Sequence, residues 1–313
     1  MERLPARAAP FLVLLVGVLA ASSSSILVRY AQQEGIDSLA IAAWRMALAG
    51  AVVAALACAL RRDELGRLGA RDLRLAALAG IFLSAHFVTW ITSLEYTSVA
   101  SSAALVTTNP VWVGLATVLL FRERLARLTV TGIAVSLVGC LLILAVDAGQ
   151  GGEAGRQPLL GNGLALAGAL GVSAYLLAGR RLASRLSLLG YVGLVYAVSG
   201  LILVGVAVAA GVPLLGYSAL GWSALAGLAL GPQLVGHTAF NWALRRLSPT
   251  FVALSILGEP VGSAVLAAIL LGEIPSPGQL LAFAVLLAGI AVAAFGERPD
   301  PGVAPAGMPE VAR

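Results

Sequence analysis

The sequence predicts an all-α integral membrane protein, ten transmembrane helices arranged as two inverted five-helix repeats, and three observations carry that prediction. Of 313 residues, 59% are hydrophobic and 11% charged, with a mean hydropathy of +0.95, a balance far from that of a soluble domain. Apolar runs of about 20 residues, the helical length that crosses a hydrocarbon core of about 30 Å, recur between short polar breaks. The chain also matches itself at a shift of 150 residues, the mark of an internal repeat.

The expected spans, in order, are 11–30, 38–60, 73–93, 98–121, 128–146, 160–179, 187–210, 219–243, 248–271 and 278–296. Each is read as a helix because backbone amides in hydrocarbon must be satisfied within the segment, and none shows the period-two alternation of a lipid-spanning barrel strand. Arg3 and Arg7 before the first run have the outline of a signal peptide, but that run continues to Val28 and further spans follow, so it reads as the first span. Residues 1–148 form the first repeat, 149–297 the second, and 298–313, rich in Pro, Gly and Ala, read as a disordered cytoplasmic tail.

All 20 basic residues are arginines. Arg3 and Arg7, the group from Arg61 to Arg74, Arg122 to Arg127, Arg180 to Arg185, Arg245 and Arg246, and Arg298 and Arg313 fall at alternate breaks and so on one side. The positive-inside rule makes that side cytoplasmic, both termini included, in a multi-pass plasma-membrane protein. Scattered between apolar runs, these cations form no nucleic-acid face. Cys58 and Cys140 lie in separate apolar runs without metal-ligand company and read as buried free thiols. No cofactor is expected; the partners are lipid and a small-molecule substrate, the chain being a monomer or homodimer.

The strongest repeat pairs are Pro110/Pro260 and Glu123/Glu273, which keep a 13-residue spacing in both halves. Five spans per repeat is an odd number, so the second copy enters the membrane from the opposite side. The charges agree: Glu123 sits among Arg122, Arg124 and Arg127, whereas the turn at Glu273 has no cation. Inverted repeats suit alternating access around a site near the midplane.

With Trp90, Pro110 and Glu123 echoed by Asn241, Glu259-Pro260-Val261 and Leu271-Gly272-Glu273, the chain resembles the EamA-like branch of the drug/metabolite transporter superfamily. Phe121-Arg122-Glu123 departs from the Gly-Glu form that ends the fourth helix in that family. The resemblance implies a proton-linked or gradient-driven exporter or exchanger of amino acids, related metabolites or drugs, with no ATP site. No GxxxxGK[ST] phosphate loop occurs.

Glu259 stands out as an acid midway along a span, where an unpaired charge costs several kcal/mol. It reads either as a proton-coupling or substrate-amine site or as a structural carboxyl; the matching residue Asn109 is neutral. Pro110, Pro232 and Pro260 each remove a backbone hydrogen bond mid-span and are expected to kink helices that wall the path. Gln233, His237 and Asn241, spaced by four, fall on one face of an α-helix, and His86 and Trp90 are likewise four apart. The expected substrate-binding set is thus His86, Trp90, Asn109, Gln233, His237, Asn241 and Glu259, with Glu259 exchanging the proton. Arg45, some seven residues inside its span, reads first as a snorkelling anchor and second as a carboxylate receptor. Two other classes compete with this reading, an intramembrane enzyme and a membrane sensor or scaffold; neither HExxH nor GxSxG is present, nor a soluble module.

Overall fold

The computed structural model describes residues 9–122, 125–150, 155–183, 185–243, 252 and 255–296. Among these, all regular structure is helical. Nine helical stretches are long and apolar enough to cross a membrane, and one further apolar helix, Gly258–Leu270, is shorter. The predicted run 248–271 begins outside the described residues, as do the tail, Glu123, and Arg245 and Arg246.

In chain order the helices are α1 (Ala9–Ser22), α2 (Ser24–Gln33), α3 (Ser38–Leu60), α4 (Arg62–Leu65), α5 (Ala70–Ser93), α6 (Val99–Val106), α7 (Asn109–Phe121), α8 (Arg127–Gln150), α9 (Pro158–Ala183), α10 (Leu188–Ala209) and α11 (Ala219–Leu228). A π-helical segment, Ala229–His237, leads into α12 (Thr238–Ala243), and α13 (Gly258–Leu270) and α14 (Pro277–Gly296) complete the set. Polar residues between the apolar runs cap the helix starts. Leu39 N donates to Asp37 Oδ1 at 2.8 Å, Gly190 N to Ser187 Oγ at 3.1 Å and Gly221 N to Ser218 Oγ at 2.9 Å. Gly35 and Gly211, just beyond α2 and α10, take positive φ of 75° and 69°, the left-handed turn that only glycine adopts cheaply.

Four expected spans depart from one continuous α-helix, each for a local reason. The first runs from Ala9 to Gln33 with a break at Ser23, where Ser22 Oγ donates to Val18 O at 2.8 Å and Ser23 Oγ to Ala20 O at 2.7 Å; such back-bonding bends helices. The fourth is two helices, because Pro110 cannot donate and crowds the carbonyl four residues earlier. The chain turns at Thr107 and Thr108, whose hydroxyls take up Ala104 O at 2.9 Å and Leu105 O at 2.6 Å. Pro232 lies inside the π-helical segment, so the eighth span is not one regular α-helix. Pro260 lies in the first turn of α13, after a turn at Leu257. Each predicted kink is thus a break, a π-segment or a helix start.

Equivalent helices of the two halves pack on each other in opposite directions. Between α3 and α10, Gly50 meets Tyr196 and Ala197 while Gly200 meets Met46 and Ala47. Between α8 and α14, Gly132 meets Ala293 and Gly139 meets Leu286. The approach is backbone to backbone: a β-carbon on Gly132 would lie 2.2 Å from the Ala293 nitrogen. Small residues at such crossings supply close packing where lipid leaves no hydrophobic drive between helices. Against α5 packs α9, where Gly168 and Gly171 meet Trp90 and His86. The outer surface is a belt of exposed aliphatic side chains such as Leu119, Leu201 and Ile269. Cys58, expected buried, is on that exposed surface; Cys140 is buried.

Ion pairs sit at the two ends of the helix bundle. At the arginine-poor end Arg29 of α2 pairs with Glu273 at 2.8 Å and donates to Thr97 O at 3.0 Å, while Val99 N donates to the other Glu273 oxygen at 2.8 Å. Next to it the fully buried Asp147 accepts from Asn162 Nδ2 at 2.7 Å and Gln279 Nε2 at 2.8 Å. At the arginine-rich end Arg185 pairs with Asp72 at 2.6 Å.

Candidate functional site

A cavity of about 300 Å³ lies between the two halves. Twenty residues line it, ten from each half: Ala21, Ser24, Arg45, Leu83, His86, Phe87, Trp90, Val106, Thr107 and Asn109 from the first, and Val172, Tyr175, Leu176, Tyr196, Pro232, Gln233, His237, Phe240, Ile256 and Glu259 from the second. A larger cleft, about 580 Å³, opens among Arg61, Arg62, Asp63, Glu64, Arg67, Asp72 and Arg185 at the arginine-rich end. Its charges face solvent or each other outside the spans, so the smaller intramembrane cavity is the candidate site.

The helix interruptions bring polar groups there. Asn109 begins α7 directly after the Thr107-Thr108 turn, and Glu259 precedes Pro260 in the first turn of α13. Ser22 Oγ donates to the Glu259 carbonyl at 3.2 Å and Ser263 Oγ to Ser22 O at 3.0 Å, which ties α13 to α1. His86 Nδ1 lies 2.8 Å from the Gly168 carbonyl. A carbonyl can only accept, so Nδ1 holds the proton and, in neutral imidazole, Nε2 is a free acceptor. The His86 and Trp90 rings are parallel, 5° apart in plane and 6.2 Å between centroids. The His237 ring stands at 84° to Phe240.

Of the expected residues, His86, Trp90, Asn109, Gln233, His237 and Glu259 all line the cavity. The Asn241 side chain lies outside the described residues, although its backbone belongs to α12. The spacing-of-four argument does not describe this stretch, because Gln233 and His237 lie in π-helical backbone, where hydrogen bonds span five residues.

Arg45 is the main correction. It does not snorkel: it is 1% exposed, with Nε donating to Gln233 Oε1 at 2.9 Å and Nη1 to Ser24 Oγ at 2.7 Å. Its guanidinium carbon stands 4.4 Å from the Phe87 ring centroid and 5.5 Å from that of Trp90, close enough for both rings to stabilise the cation. Sequence reasoning also passed over Ser24, Tyr175 and Tyr196. Ser24 stands in the run Ser22 to Ser25, which reads as small residues at a helix contact, and the tyrosines lie in largely apolar runs. Among the described residues no three His, Cys, Asp or Glu side chains gather into a metal site.

The fold and cavity define a class: a multi-pass helical membrane protein whose two similar halves enclose a polar site. The chain matches the EamA-like transporter family over residues 9–145 and again over 159–295, and it belongs to that family, part of the drug/metabolite transporter superfamily. The two matches begin 150 residues apart and end 150 residues apart, the shift of the internal repeat. A solved structure described as "Crystal structure of protein" is similar in fold, with a TM-score of 0.63 at 22% sequence identity over 92% of this chain and 97% of that one. No curated protein matches the sequence.

Proposed function

We propose that this chain is a secondary transporter that moves a small metabolite, an amino acid, related compound or drug, through the central cavity by alternating access, as an exporter or exchanger with Glu259 exchanging a proton. It acts in the plasma membrane as ten spans in two inverted halves, with both termini cytoplasmic. The observation that carries this reading is the cavity itself: each half contributes half of its lining, and several of its polar groups, Ser24, Thr107, Asn109, Gln233, His237 and Glu259, stand at interruptions of otherwise apolar helices. Buried polar groups in a membrane are expensive and are tolerated where they face a path.

The antiparallel packing of α3 on α10 and of α8 on α14 supports the inversion, because an in-plane twofold axis brings equivalent helices together in opposite senses. The Arg29–Glu273 pair joins α2 of the first half to the segment between α13 and α14, an arrangement suited to a contact that breaks when the arginine-poor end opens. A thermal-shift screen of metabolites on purified protein, followed by counterflow in liposomes with the best ligands, tests the reading. Protein-dependent counterflow of at least one ligand is expected; ligands that bind and never exchange across the bilayer contradict it.

A further inference from the structure

We infer that the cavity selects a small organic carboxylate with an apolar body and no ammonium group, and that each anion enters together with one proton taken up by Glu259. This narrows the transporter reading, setting aside amino acids and amines among its candidate solutes, and rests on it. The inference starts from an imbalance of hydrogen-bonding groups. A guanidinium has five N–H groups; Arg45 commits one to Gln233 and one to Ser24, leaving three. The Trp90 indole N–H, on a residue 5% exposed in the same wall, has no partner at all. These spare donors lie on neighbouring side chains, since the guanidinium is held over the Trp90 and Phe87 rings. Unpaired buried donors are costly, and a planar carboxylate, which accepts two parallel bonds from a guanidinium, satisfies most of them at once.

Apart from Glu259 the acceptors in the lining are neutral, His86 Nε2 among them, and Gln233 Oε1 already accepts from Arg45; an ammonium therefore has only Glu259 as a counter-charge and shares the space with the Arg45 cation, which repels it. Among the described residues no carboxylate lies within 4.0 Å of Arg45, so Arg45 and Glu259 share the cavity without forming an ion pair. With Glu259 ionised, their charges sum to zero; a bound monoanion makes the sum negative in a low-dielectric space, and a proton on Glu259 restores it. The other titratable groups facing this space are His86, His237, Tyr175 and Tyr196. Among the described residues, the helices that pack most closely against α13, namely α1, α2 and α6, carry only Arg29, paired with Glu273, and Tyr30 as titratable groups. No second acid on those helices competes for the proton.

Isothermal titration of the purified full-length protein with benzoate, benzylamine and phenylalanine, each in two buffers of different ionisation enthalpy, tests the inference. Benzoate is expected to bind at least about tenfold tighter than the other two, the scale of one charge-assisted hydrogen bond, with about one proton taken up per anion. Glu259→Gln should bind benzoate with no proton uptake, and Arg45→Gln should lose it. Trp90→Phe keeps an aromatic ring beside Arg45 and removes the spare N–H donor; it should weaken benzoate several-fold and affect benzylamine less, which holds the test open if Arg45→Gln does not fold. Equal or tighter binding of benzylamine or phenylalanine, no binding of benzoate, or binding without proton uptake overturns the inference. If another solute still shows counterflow in liposomes, the transporter reading survives that result. Benzoate that binds with its proton but shows no counterflow would sink the transporter reading and spare the site.

Discussion

Arg45 and Asp147 show how far a single residue can be understood from its position in the sequence. Counting along its span puts Arg45 near a membrane surface, yet Arg45, like Asp147, is buried. Counting gives depth, whereas burial depends on which face of the helix meets a neighbour. In α3, where Arg45 is the only charged residue, the sequence contains no polar stripe to mark that face. Glu259 was legible because an acid beside a proline in mid-span has few places to go. Asp147 yields a prediction. Its two carboxylate oxygens accept from the amides of Asn162 and Gln279, so Asp147→Asn sets one amide donor against others in a site closed to water. A loss of about 1–3 kcal/mol is expected for the unsatisfied buried group, read as a lower melting temperature of the detergent-purified protein; an unchanged value would mean that the cluster relaxes without cost.

At the scale of the helix, the apolar runs were legible because a bilayer imposes a length; the caps at Asp37, Ser187 and Ser218 emerge from the structure. The interruptions were only half legible. A proline announces a defect, but whether it becomes a turn, as before Pro110, or a π-segment, as around Pro232, is decided by which side chains can take the freed backbone groups. Thr107 and Thr108 do so in one case. The glycine crossings carry a second prediction. A β-carbon on Gly139 would lie 2.5 Å from Leu286 Cα, whereas one on Gly163 meets nothing within 4 Å. Gly139→Ala should therefore destabilise by about 1–3 kcal/mol through overpacking. Gly163→Ala, on an open face of α9, should be neutral or stabilise by about 0.5–1 kcal/mol through reduced backbone entropy. Thermal denaturation of both variants side by side checks the pair; equal effects would contradict the close α8–α14 crossing.

For the whole molecule, the repeat was legible because Pro110/Pro260 and Glu123/Glu273 keep their spacing, and the family match repeats at the same interval of 150 residues. The cavity was legible in part: six of the seven expected residues line it, while Arg45, Tyr175 and Tyr196 were missed, since no sequence periodicity says which helices of the two halves will face each other across it. Orientation is open to a direct check in a background lacking Cys58 and Cys140. A cysteine replacing Arg67 should react with a membrane-impermeant maleimide only after the cells are broken, and one replacing Glu34 should react in intact cells. The reverse pattern would invert the proposed topology. The central claim is that Glu259 exchanges a proton during transport, and the liposome experiment tests it without intermediate steps. Wild-type protein and Glu259→Gln are reconstituted, a pH difference is imposed, and accumulation of the solute chosen by the thermal-shift screen is followed. The account predicts that wild type builds a solute gradient and that Glu259→Gln binds the solute but builds none; a gradient formed by Glu259→Gln at the wild-type rate would show that the carboxylate is structural.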